Sequence, residues 1–232
     1  MSEQCSSTQA CGCQGNPRFD GVDPRYKAIL WTVIAINGVM FIVEMAAGHL
    51  AGSQALQADA LDFLGDTLTY GLSLAVIGSS LRTRASAALF KGGSLLAMGL
   101  WVFGSTLYQV FFLGLPKAEI MGSIGFLAFA ANVASVLLLM RYKDGDANVR
   151  SVWLCSRNDA IGNVAVMVAA VAVWGLGSAW PDIIVALIMA GLFLYSSAQI
   201  IGQSLKEYRT GVDSGALASH GHAHEAGPEH VH

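Results

Sequence analysis

Asp62 and Asp66 stand four residues apart inside an apolar stretch, and Asp59 lies three residues before them. On a helix this spacing puts Asp62 and Asp66 one turn apart on one face, with Asp59 close to it. Two like charges so close in lipid repel each other and lose hydration. One of the pair is therefore expected to hold a proton until a cation replaces it. A divalent metal ion can do so, because carboxyl groups coordinate in their deprotonated form. A second run, Cys155, Asp159 and Asn163, repeats at four-residue intervals and also shares a helical face. If the two segments touch, Asp159 joins Asp62 and Asp66. Cys155 then offers a thiolate as fourth ligand, and four such donors suit tetrahedral zinc. Asn163 is the runner-up for the fourth position, and Asp59 a further reserve.

The elements that must position these groups follow from composition. The chain has 232 residues, of which 54% are apolar and 12% charged. Soluble domains carry about 25% charged residues. Thirteen Lys and Arg with sixteen Asp and Glu cannot coat a globule of this length, and the mean hydropathy is positive. This excludes a soluble enzyme and indicates a polytopic membrane protein. The net charge of −3 gives no footprint for nucleic acid. Six apolar runs are each long enough to span a bilayer: 28–50, 54–80, 89–115, 120–140, 149–175 and 182–203. They lack period-2 alternation, so the fold class is all-α with six transmembrane helices. A polar N-terminal tail (1–27) and a His-rich C-terminal tail (204–232) flank the spanning domain (28–203). The N-terminus, polar through Asn16, does not read as a signal peptide.

Threading six spans places eleven Lys and Arg on one side (18, 25, 27, 82, 84, 91, 141, 143, 150, 206 and 209) against Lys117 on the other. Arg157 falls within the fifth span, where it can pair with Glu44 or Asp59 or reach toward the water. The positive-inside rule then puts both termini in the cytoplasm, and the plasma (inner) membrane is the expected location. Cys5, Cys11 and Cys13 in one tail are expected to be reduced there. His220, His222 and His224 in the other tail, with His230 and His232, offer imidazole ligands to passing metal ions.

Asp62-Phe-Leu-Gly-Asp66 and Asp159-Ala-Ile-Gly-Asn163 also echo each other, with Gly78 and Gly175 at matching distances. Spans two and five cross in opposite directions, so the echo suits an inverted repeat of three plus three spans, the interface at which transporters bind substrate. Glu44 and Asn37 in the first span can line a path or bond across helices, and His49 falls at its outer end. Asp182, after Pro181, reads as a helix-start acid without a role in chemistry.

At these residues the chain resembles the cation diffusion facilitator family. The stretch from Ser53 to Asp66 resembles the second-span motif, in which His or Asp is followed four residues later by Asp. Asn37 and Glu44 resemble polar positions of the first span, Cys155-xxx-Asp159 with Asn163 those of the fifth, and Pro181-Asp182 through Tyr195-Ser196-Ser197 the sixth. The resemblance implies a six-span, usually dimeric secondary transporter, not an enzyme. It would export Zn²⁺ or a similar divalent ion in exchange for protons, with the ion as substrate and no cofactor. The implied ligands are Asp62, Asp66, Asp159 and Cys155. Cys155 replaces the usual histidine, which favours softer ions such as Cd²⁺, with Co²⁺ also in range. About thirty residues follow the sixth span, so the family's cytoplasmic C-terminal domain is expected to be missing. Two other readings use the same acids: a passive cation channel with an acidic selectivity ring, and a non-transporting metal sensor or partner subunit.

Overall fold

The computed structural model describes residues 24–76, 80–112, 114–142 and 147–210, with the side chains at 81, 84, 112, 142, 147–155, 207 and 210 outside the description. Cys5, Cys11, Cys13, Gly78 and the tail histidines lie outside the described residues. Six α-helices follow in order: α1 (Pro24–Ala51), α2 (Gln54–Ala75), α3 (Leu81–Phe112), α4 (Ala118–Leu139), α5 (Ala147–Leu176) and α6 (Trp180–Thr210). A short 3-10 turn, Met140–Tyr142, follows α4. No strand occurs among the described residues.

Five of the helices are long and apolar enough to cross a membrane. The remaining one, α2, has the length but carries three aspartates within eight residues. The outside of the bundle is apolar, with Trp174, Phe111 and Ile42 all exposed. Burying such a surface in lipid, rather than water, is what six such helices require. The chain is an integral membrane protein.

Several helices outrun the apolar runs. Helix α3 starts at Leu81, eight residues before the apolar stretch, and takes in Arg82 and Arg84. Hydropathy marks where lipid begins, whereas a helix continues as long as its backbone ladder closes. Pro24 opens α1, where its missing N–H costs nothing.

Helix α2 sits centrally and packs on α1, α3, α5 and α6. Each of the first three helices also packs on its counterpart in the second three: α1 on α4, α2 on α5, α3 on α6. The α3–α6 contact is close because of glycine. A Cβ on Gly92 would stand 2.7 Å from Ile201 Cγ1, and one on Gly99 2.9 Å from Leu194 Cδ2. Ser197 Oγ donates to the Gly92 carbonyl at 2.8 Å across this seam.

The α1–α2 corner is tight. Gly52 has φ +67°, a left-handed conformation that costs other residues more. Its N–H bonds to His49 O, and Ser53 N–H bonds to Gly48 O at 3.0 Å, the double closure of a Schellman motif. Ser53 then caps α2 directly, accepting from Leu56 N–H at 3.0 Å.

Candidate metal centre

Helix α2 is most enclosed over its first two turns, through Leu61, and the aspartates run from there into its half-buried middle. Asp59 is buried, while Asp62 and Asp66 are half-buried. Helix α5 brings Asp159, also half-buried, against this face. Asp159 comes within hydrogen-bonding range of both Asp62 and Asp66. Three carboxyl groups from two helices therefore meet through Asp159. Bare carboxylates do not hold such contacts; protons or a cation must stand between them. As placed, no three of His, Cys, Asp and Glu among the described residues enclose a single point fit for a metal ion. Cys155 lies on α5 one turn before Asp159, and its side chain is outside the described residues. Asn163 lies one turn beyond Asp159 and is buried.

Two neighbours of Asp66 escaped sequence reasoning. Tyr70, fully buried, donates its hydroxyl to Asp66 Oδ2. The four-residue spacing on α2 was a signal for this contact. Lys91 of α3 brings a positive charge within electrostatic reach of Asp66. In the sequence Lys91 served only to orient the chain. Its nearness to Asp66 depends on how α3 leans on α2, which spacing does not encode.

Asp182 differs from expectation in an instructive way. It does stand in the first turn of α6, yet the helix it caps is α2. Its carboxylate, with no exposed surface, accepts from Ser53 Oγ at 2.6 Å, Gln54 N at 2.9 Å and Ala55 N at 3.0 Å. Gln109 of α3 donates to Gly52 O at 2.8 Å and reaches Asp182 Oδ2 at 3.4 Å. An anion at a helix N-terminus satisfies donors that otherwise have no partner. Asp182 thus ties α6 and α3 to the start of the helix that carries Asp59, Asp62 and Asp66.

The remaining residues singled out in the sequence sort by burial. His49 is exposed in the last turn of α1. Arg157 is exposed and donates to Asn158 Oδ1 at 3.3 Å. Asn37 and Glu44 are buried on α1.

Residues 30–207 match the model of the cation efflux transmembrane domain family. The chain is 26% identical over 197 residues to the "Cadmium, cobalt and zinc/H(+)-K(+) antiporter" of Bacillus subtilis, covering 77% of this chain and 62% of that protein. It is 27% identical over 183 residues to the "Metal cation efflux system protein CzcD" of Cupriavidus metallidurans, covering 74% and 58%. It is 25% identical over 206 residues to the "Zinc transporter ZitB" of Yersinia pestis, covering 82% and 64%. The chain thus spans about three fifths of the length of these curated relatives. With most of its helical bundle matched and its aspartates facing one another from the second and fifth helices, the chain belongs to the cation efflux transmembrane domain family.

Proposed function

We propose that this protein moves Zn²⁺, or a close relative such as Cd²⁺ or Co²⁺, out of the cytoplasm in exchange for protons. Asp62, Asp66 and Asp159 hold the ion, and Cys155 supplies the fourth ligand. Asn163, the other candidate, lies on the opposite side of Asp159 from Cys155 along α5. The observation that carries this reading is the reach of Asp159 to both Asp62 and Asp66 across the α2–α5 contact. Three carboxyl groups this close require positive charge among them. Protons meet that need in one state and a divalent ion in the other, so loading one expels the other. The relatives, named as transporters of zinc, cadmium and cobalt, support the choice of ion.

The positive-inside count supports cytoplasmic termini. The tail histidines, His220, His222 and His224, would then gather ions on the supply side. A homodimer is part of the same reading, checked by crosslinking in native membranes. The central test is metal-stimulated proton movement in proteoliposomes. Zn²⁺ addition should drive proton counterflow with wild-type protein and none with Asp159→Asn. Metal flux with no proton counterflow would replace exchange by a channel, and metal binding with no flux would replace transport by sensing.

A further inference from the structure

A second polar layer lies one helical turn from the three aspartates, on the side of the α1–α2 corner. Ala47, Leu56 and Val166 pack in one apolar cluster that joins α1, α2 and α5. Glu44, Asp59 and Asn163 each lie three residues from one of them. Helices α1 and α5 run toward that corner and α2 runs away from it, so all three steps move one turn in the same direction. Glu44, Asp59 and Asn163 are therefore level with one another, and Asp62 and Asp159 are one further turn down.

These three are more enclosed than the first site. Glu44 and Asn163 have no exposed surface and Asp59 has 2%, whereas Asp62, Asp66 and Asp159 are half-buried. Neither Glu44 oxygen, nor Asp59 Oδ2, nor either amide atom of Asn163 has a hydrogen-bond partner among the described residues. The Glu44 and Asp59 carboxyl groups are close enough to act on each other electrostatically, yet no hydrogen bond satisfies these oxygens. A buried polar group left unmatched costs about 1–3 kcal/mol and is rare in native proteins. Three such side chains on one level, two of them acidic, are what a cation would satisfy.

We propose that Glu44, Asp59 and Asn163 form a second divalent-cation site, distinct from Asp62, Asp66 and Asp159. It rests on the transport reading above, because its ligand is the transported ion. Its donors are all oxygen: two carboxylates and one carboxamide. It lacks the thiolate offered to the first site, so it binds zinc-like ions less tightly. A weaker site one turn away, about 5 Å along the axis, is a station to which the ion passes on its way toward the α1–α2 corner.

The test is Cd²⁺ binding to the full chain in detergent by isothermal titration, in Asp159→Asn, Glu44→Gln and the double variant. The tails are common to all three, so their ions cancel in the differences. Asp159→Asn should bind one weak ion more than the double variant. Equal binding would overturn the second site. Glu44→Gln should also bind one ion more than the double variant; equal binding there would remove the Asp62–Asp66–Asp159 site and leave the second one standing. In the Asp159→Asn background, Asn163→Asp adds a charged ligand and should tighten the weak ion about tenfold. An unchanged affinity in that variant would count against the site even if Glu44→Gln failed to fold.

Discussion

Removing the Asp182 carboxylate should loosen the bundle at its α1–α2 corner. In Asp182→Ala the Gln54 and Ala55 N–H groups lose acceptors at 2.9 and 3.0 Å, and Ser53 Oγ loses one at 2.6 Å. A donor left buried without an acceptor costs about 1–3 kcal/mol. Ser53 can turn its hydroxyl elsewhere, so two orphaned N–H groups set the scale at about 3 kcal/mol. For a chain of this size that corresponds to a fall in Tm of about 6–12 °C. Asp182→Asn keeps the shape and one acceptor oxygen, and should cost about half as much. Ser53→Ala removes the cap and should cost about 1 kcal/mol. The two sites share a hydrogen bond, so the double variant should be less destabilised than the sum, with a coupling of about 1–2 kcal/mol. Unfolding followed by tryptophan fluorescence in detergent measures all four proteins. A Tm for Asp182→Ala within 2 °C of wild type, or strict additivity with Ser53→Ala, would refute the assignment of Asp182 as the cap of α2.

Other outcomes follow from the same geometry. Asp62→Asn and Asp159→Asn should each abolish metal-driven proton movement in proteoliposomes, with the purified proteins still monodisperse. Tyr70→Phe removes the hydroxyl that orients Asp66, and should weaken Zn²⁺ binding about 10–100-fold by titration. Gly92→Ala forces a methyl against Ile201 at 2.7 Å, and should lower stability by about 1–3 kcal/mol in thermal unfolding. Deleting residues 211–232 should shift the metal concentration at half-maximal transport without abolishing flux.

The chain by itself determined the number of helices and the acidic face of α2. Both follow from local rules: an apolar run of about 20 residues spans lipid, and a four-residue step returns to the same face of a helix. The Tyr70–Asp66 contact belonged to that legible class, since it too is a four-residue step on α2. The helix ends were less legible, because arginines that leave the lipid, as at the start of α3, can remain helical.

What only the tertiary structure decided were meetings between helices. Asp182 read as the start of α6, and nothing local shows that its carboxylate caps a helix beginning 128 residues earlier in the chain. The reach of Asp159 to Asp62 and Asp66, the charge of Lys91 beside Asp66, and the shared level of Glu44, Asp59 and Asn163 belong to the same class. Each depends on how far one helix slides along another. Side-chain packing sets that slide, as the Gly92 and Gly99 contacts do between α3 and α6. Sequence spacing places residues on faces; the packing of faces decides which of them touch.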